Sequence, residues 1–243
     1  MSTHAFATLS TVRKTFVDTP QSDRTPLFRL LTSLLSMVVA AAVTIALGAK
    51  IIDLVDRGLF DAGRFFSYFA PAFALLSILI LSITALLGTK GRRDSARVAG
   101  VRAALTLGGI TILCTHTSLL SAAPTNTEPF VGTQTWPDAI IEIVLPLYLI
   151  AEWILNPLRA RVSRWAPFVG LALIHVWVIF SHLRGQLTGW YVNPALDPQT
   201  AENPMAVIAY LVVISVSLLV AAFLLLVVNR IHYRIFPRNF FES

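Results

Sequence analysis

A single cysteine, Cys114, occurs in 243 residues, so neither an intramolecular disulfide framework nor a cysteine-based metal cluster is available. Charge is also scarce. Asp, Glu, Lys and Arg make up 13% of the chain, about half of the roughly 25% usual in a soluble domain. That shortage argues against a soluble globular enzyme, and the 56% hydrophobic content excludes disorder for most of the chain. The sequence has no nucleotide-binding glycine loop and no recognisable cofactor motif, so no cofactor is expected. Period-two alternation over many short segments is missing as well, which excludes a β-barrel. Acidic residues number 13 against 19 Lys and Arg, giving a formal charge of +6 and a pI near 10.0. Nucleic acid is not the partner this implies, because the basic residues sit between long apolar runs and not on a polar domain.

What is abundant is apolar sequence, with a mean hydropathy of +0.71. Crossing a hydrocarbon core takes roughly 20 apolar residues at about 1.5 Å rise each. Six segments qualify: Arg29 to Lys50, Arg64 to Lys90, Arg102 to about Ala122, Asp138 to Leu158, Arg164 to Arg184, and Glu202 to Arg230. Backbone groups in lipid must be satisfied within the segment, so all six are predicted to be helices. The expected fold is an all-α bundle of six transmembrane helices in residues 28–230. A mobile arm, 1–27, precedes it and a tail, 231–243, follows it. No internal repeat relates the spans, which weakens an inverted-repeat transporter reading.

Orientation follows from the loops. Fifteen Lys and Arg fall on the side that carries both termini, and Lys50, Arg57, Arg64 and Arg184 fall on the other. The positive-inside rule places both termini in the cytoplasm and the protein in the plasma membrane as a multi-pass protein. Its partners would be membrane lipids and a lipid-like small molecule, with no nucleic acid.

Ionisable groups inside spans mark functional sites by default. From the helical rise, Glu142 lies about 6 Å and His116 about 8 Å below the outer edge. Tyr68, His182 and Arg184 also sit near the outer ends of their spans. His175 is deeper, about 14 Å from Arg184. A carboxylate in an apolar bundle calls for a cationic partner, and Arg184, His116 and His182 are the candidates for Glu142. Pro146 follows Glu142 by four residues and is expected to kink the fourth span beneath it. Pro71 is expected to kink the second. Glu152, near the cytoplasmic end, is expected to meet Arg159 or water. Trp136, Trp153, Trp165, Trp190 and Tyr191 fit interfacial belts, and Gly108 and Gly109 fit close helix packing. A metal site from His116, Glu142 and His182 is chemically conceivable, but their spacing carries no metal motif.

Three stretches resemble a known family: Arg64-Phe65-Phe66-Ser67-Tyr68-Phe69; Pro146 followed by Glu152-Trp153; and Leu183-Arg184-Gly185-Gln186-Leu187-Thr188-Gly189-Trp190-Tyr191, continuing through Pro194 to Asp197. Together they look like the bacterial six-pass relatives of the androgen-induced-gene and androgen-dependent TFPI-regulating proteins. The animal members of that superfamily are threonine-dependent hydrolases of fatty-acid esters of hydroxy fatty acids. The resemblance implies a catalytic threonine and histidine at positions held here by Ala70 and Glu142. Alanine offers no nucleophile and glutamate is no imidazole base, so the fold carries over and the chemistry does not. The resulting expectation is an outer-leaflet-facing polar pocket for a lipid-like ligand, built from Tyr68, His116, Glu142, His182, Arg184, Trp190, Tyr191 and Asp197. A relocated nucleophile, Ser67, Thr117 or Ser118, would instead give an ester hydrolase. Proton coupling through Glu142 would give a small secondary transporter.

Overall fold

The computed structural model describes residues 24–89, 95–121, 133–156, 162–192, 197 and 204–235. Residues 236–243 of the expected tail, and all but the last four residues of the expected arm, fall outside them, and residues 231–235, expected in the tail, continue the last helix. Among the described residues there is no strand. The elements are α1 (Arg24–Asp56), α2 (Ala62–Phe65), α3 (Phe69–Thr89), α4 (Ala96–Ser121), α5 (Trp136–Ala139), a π-helical turn (Ile140–Val144), α6 (Leu145–Leu155), α7 (Ala166–Thr188) and α8 (Pro204–Ile235).

Five described stretches are long and apolar enough to cross a membrane: Leu30–Asp56, Phe69–Thr89, Ala96–His116, Ala166–Thr188 and Leu211–Ile231. By length and composition this is a multi-pass membrane protein. Large apolar side chains cover its outer faces, such as Leu35, Val38, Ile45 and Ile52 on α1 and Val212, Val216, Leu219 and Phe223 on α8. Hydroxyls within these helices are spent on carbonyls one turn back. Thr44 donates to Ala40, Thr106 to Arg102, Thr111 to Leu107 and Thr115 to Thr111, which leaves few side-chain donors facing lipid.

The segment expected as an uninterrupted fourth span is broken. Residues 136–155 are helical throughout, but Ile140–Val144 form a π-turn between pieces of 4 and 11 residues. Pro146 supplies the reason. It has no N–H for the Glu142 carbonyl, and its ring would press on that carbonyl in a regular helix. The turn widens instead, with the Leu145 N–H donating to the Ile140 carbonyl. Expected as a kink, the distortion at Pro146 takes the form of an inserted residue.

The second expected span also starts differently. Arg64 and Phe65 belong to the short α2, capped by Asp61 accepting from the Arg64 N–H. The chain turns through Phe66–Tyr68 before α3 begins at Phe69. Pro71, expected to kink the second span near its outer end, therefore sits in the first turn of α3, where a missing N–H costs nothing, and the break at that end falls before it, at Phe66–Tyr68.

Two cores meet on α4. One gathers Val43, Leu54, Phe65, Phe73, Leu105, Ile141 and Leu145 from α1, α2, α3, α4, the π-turn and α6. The other gathers Ala103, Leu107, Trp153, Ile174, Leu218 and Leu225 from α4, α6, α7 and α8. Of the five membrane-crossing stretches, the α4 window is the most deeply buried and that of α8 the least. Close approach explains α4's glycines as expected. A methyl at Gly109 would lie 3.2 Å from Cα of Pro146, and one at Gly108 would lie 2.4 Å from the Phe73 ring. Trp153, expected in an interfacial belt, is instead only 2% exposed. It belongs to the second core, with residues of α4, α7 and α8.

Candidate functional site

Sequence positions separated along the chain come together in two clusters at the end where α2 lies. The first joins α4 to the π-turn. His116 Nδ1 donates to Glu142 Oε2 at 2.6 Å, with both side chains between one-fifth and one-quarter exposed. This is the one of three expected pairings for Glu142 that forms. The π-turn carries Glu142, so the irregular backbone sits beside the pair. A second clamp joins the same segment to α1, with Lys50 Nζ 2.5 Å from Asp138 Oδ1.

The second cluster is built by α2, the end of α7 and the loop after it. Arg184, an expected partner of Glu142, donates instead to the Gly63 carbonyl at 3.0 Å. Its guanidinium lies 4.7 Å from the centre of the Trp190 ring, and that of Arg64 lies 5.7 Å from it. Tyr68 meets Trp190 edge-on at 5.8 Å. Tyr191 lies 6.1 Å from His182. The local sequence explains this folding-back. Gly189 ends α7 in the left-handed conformation, φ 68°, a geometry glycine adopts without strain. The chain reverses, and Trp190 and Tyr191 return onto the helix. Gly185 then makes room, since a methyl there would lie 2.2 Å from the Tyr191 ring.

His182 contributes an unmet donor. The Gln186 amide donates to its Nε2 at 2.9 Å, which leaves the proton on Nδ1. Nδ1 is buried and has no partner among the described residues. Asp197 is half-buried, and residues 193–196 before it lie outside the described set. Among the described residues, His116 and Glu142 make no hydrogen bond to His182 or Arg184. The eight expected site residues thus form a His–Glu pair and a cation–aromatic cluster, with Asp197 following.

The relocated nucleophiles fare differently. Ser67 is not on the helical face of Ala70. It is buried in the turn before α3, where its hydroxyl donates to the Gly63 carbonyl at 2.6 Å and its own carbonyl accepts from Trp177 Nε1 at 3.0 Å. The side chains of Thr117 and Ser118 lie outside the described set. Trp177, not singled out in the sequence, is thereby a link between α7 and the turn. His175 makes a second pairing that sequence reasoning missed. Its Nδ1 donates to the Leu171 carbonyl at 2.9 Å, and its Nε2 lies 2.9 Å from Ser215 Oγ on α8. In the neutral ring this makes Nε2 the acceptor and Ser215 the donor. The i, i+4 bond to Leu171 that fixes the ring was readable from spacing alone. The partner across the helix gap was not.

At the other end of α4, Glu152 meets Arg102; Arg159, its expected partner, lies outside the described residues. The Arg102–Glu152 ion pair joins α4 to α6, with side chains 10% and 8% exposed. One turn before Glu152, the Tyr148 hydroxyl shares a 2.7 Å hydrogen bond with Ser36 of α1. One cavity is separate from all of these. It holds about 820 Å³ between α3, α4 and α7, and none of the eight expected site residues lines it. No family model, no curated protein and no solved structure matches the chain.

Proposed function

We propose that this protein is a six-pass plasma-membrane protein with both termini cytoplasmic, and that it binds the polar head of a lipid-like ligand at the outer end of the bundle. In this reading the 20 residues from Trp136 to Leu155 are the sixth span, since about 30 Å of helix suffices to cross even with one π-turn. The asymmetry of basic residues survives the removal of Arg102 into the helix and supports the orientation. With Cys114 replaced by serine, Phe130→Cys should label from outside intact cells and Arg93→Cys should not. The reverse pattern overturns the orientation.

The observation that carries the ligand reading is the arrangement around Trp190. Two guanidiniums flank it, Tyr68 closes one edge, and the neighbouring His182 holds a buried N–H without a partner. A carboxylate or phosphate head would accept from that set, with its chain running along apolar helix faces. The motif residues Arg184, Gly185, Gly189, Trp190 and Tyr191 all serve this one cluster, which supports kinship with the six-pass family in its fold. The test is cross-linking with a diazirine fatty acid and peptide mapping. Adducts should concentrate on residues 62–68 and 182–191 and fall at least several-fold in Arg184→Gln. Adducts spread evenly over the lipid-facing side of α8 would sink the reading.

A second reading, a lipid-ester hydrolase with a displaced nucleophile, is favoured by the Ser215–His175 hydrogen bond. Ser215 Oγ would attack the acyl carbon while His175 Nε2 takes its proton, the ring held by Leu171. Fluorophosphonate labelling that disappears in Ser215→Ala but persists in Ser67→Ala supports it. No labelling beside a reactive hydrolase control rejects it.

A further inference from the structure

The cavity between α3, α4 and α7 has walls but no occupant from within the described chain. Its floor is α4, where Gly100, Ala104 and Gly108 recur every four residues, a spacing that keeps one helix face shallow. Its sides are apolar, and Val101, Val169 and Leu173 on them are exposed, so it opens laterally. At about 820 Å³ it lies within the roughly 300–1,000 Å³ range of small-molecule sites. One end is closed by Phe69 and Trp177, whose rings lie 5.0 Å apart. The opposite end is lined by Arg97, Ser163 and Trp165, and the Arg164 guanidinium lies 5.5 Å from the Trp165 ring.

The charges at that end are not carboxylate-matched as those on α1, α2 and the inner face of α4 are. Lys50, Arg57 and Arg64 are each matched to an aspartate, Asp138, Asp53 and Asp61. Arg102 is matched to Glu152. Arg97 and Arg164 are exposed, and no carboxylate among the described residues pairs with either. The Arg97 guanidinium, a serine hydroxyl and an indole thus line one end of an apolar slot that opens sideways to lipid, with the Arg164 guanidinium beside that indole.

We propose that this slot holds one acyl chain of an anionic glycerophospholipid, with the phosphate of its headgroup on Arg97 and Arg164. The site is independent of the ligand cluster at the other end of the bundle. An uncharged phospholipid would fill the slot equally well but would gain nothing from the guanidiniums, so preference for an anionic head is the content of the proposal. Two basic residues near a membrane surface favour an anionic lipid by on the order of tenfold or more.

The test is native mass spectrometry of the detergent-purified protein titrated with phosphatidylglycerol and phosphatidylcholine of identical chains. Phosphatidylglycerol adducts should be favoured about tenfold. The double variant Arg97→Gln/Arg164→Gln should lose that preference while keeping phosphatidylcholine adducts. Both positions are solvent-accessible, so the fold should be retained. Leu173→Trp, which fills the slot from an exposed position, should reduce adducts of both lipids. Arg230→Gln, an exposed arginine on α8 outside the slot, should change neither. The proposal is overturned by equal binding of the two lipids, by a preference that survives the double variant, by an equal loss in Arg230→Gln, by adducts indifferent to Leu173→Trp, or by oleate outcompeting phosphatidylglycerol.

Discussion

Helix α4 meets the 136–155 segment through two charge pairs, and the two are built differently. Arg102–Glu152 joins α4 to the regular α6 and is almost sealed, at 10% and 8% exposure. His116–Glu142 joins α4 to the π-turn and is two to three times as open, at 20% and 25%. Fourteen residues separate Arg102 from His116, about 21 Å along the helix. The buried pair is a strut. Two charges are committed to each other because no solvent can replace either partner. The open pair sits where the backbone is irregular, on the π-turn that carries Glu142. A membrane bundle can therefore carry a structural charge pair and a site-like one between the same two elements, and exposure with backbone regularity separates them.

The largest effect expected from breaking this contrast is at the strut. Glu152→Ala leaves Arg102 buried without its carboxylate and should cost about 3–5 kcal/mol, read as a large fall in thermal midpoint in detergent. Arg102→Met/Glu152→Met should recover most of that loss, because the apolar pair removes both desolvation penalties. A double variant no better than Glu152→Ala would mean the pair contributes more than charge balance. Glu142→Gln, tested the same way, should cost only about 1–2 kcal/mol, since the amide oxygen still accepts from His116 and water reaches the site. Equal costs at Glu142 and Glu152 would erase the distinction. Tyr148→Phe, which removes the bond to Ser36 one turn from Glu152, should cost about 1 kcal/mol.

The bundle was legible because lipid enforces long apolar runs, and five of the six runs reappear as spanning helices. The His116–Glu142 contact was legible for a related reason. Helical rise converts sequence position into depth, and the two residues were placed within about 2 Å of each other. The strut was hidden by a boundary. Taking Arg102 as the start of its span made it a loop residue, whereas α4 begins at Ala96 and carries Arg102 nearly two turns inside. Glu152 then had no visible partner. Trp153 was misread by composition, since tryptophans near span ends are usually interfacial and nothing in the sequence marks one that is buried in a core.

The cation–aromatic cluster was half legible. Depth could not say which way the Arg184 side chain turns, so it was offered to Glu142, whereas it donates to the Gly63 carbonyl. The Gly63 carbonyl is left open by the turn between α2 and α3, and that turn is invisible to hydropathy because Phe65, Phe66 and Phe69 keep the run apolar across it. Ser67 was misjudged for the same reason. A helix assumed through residue 67 puts it beside Ala70, and the turn puts its hydroxyl on Gly63 instead.

Pro146→Ala gives the smallest change in stability and the sharpest view of the comparison. Restoring an N–H at residue 146 lets the Glu142 carbonyl take its regular helical bond and removes the ring that favours the π-turn. Alanine is the better helix residue by about 3 kcal/mol. Losing the extra residue of the π-turn rotates Glu142 by about 100° relative to α6, which takes it from His116 and gives up a charged hydrogen bond of about 1.5–3 kcal/mol. The two terms oppose, so the net shift should lie between about 0 and 1.5 kcal/mol. The ring nitrogens of His116, observed by nitrogen NMR, should move in Pro146→Ala as they do in Glu142→Ala, while the Arg102–Glu152 strut, which lies beyond the proline, stays in place. An unchanged His116 signal would mean that packing of Ile141 and Leu145 in the first core, and not the proline, holds the π-turn and its glutamate.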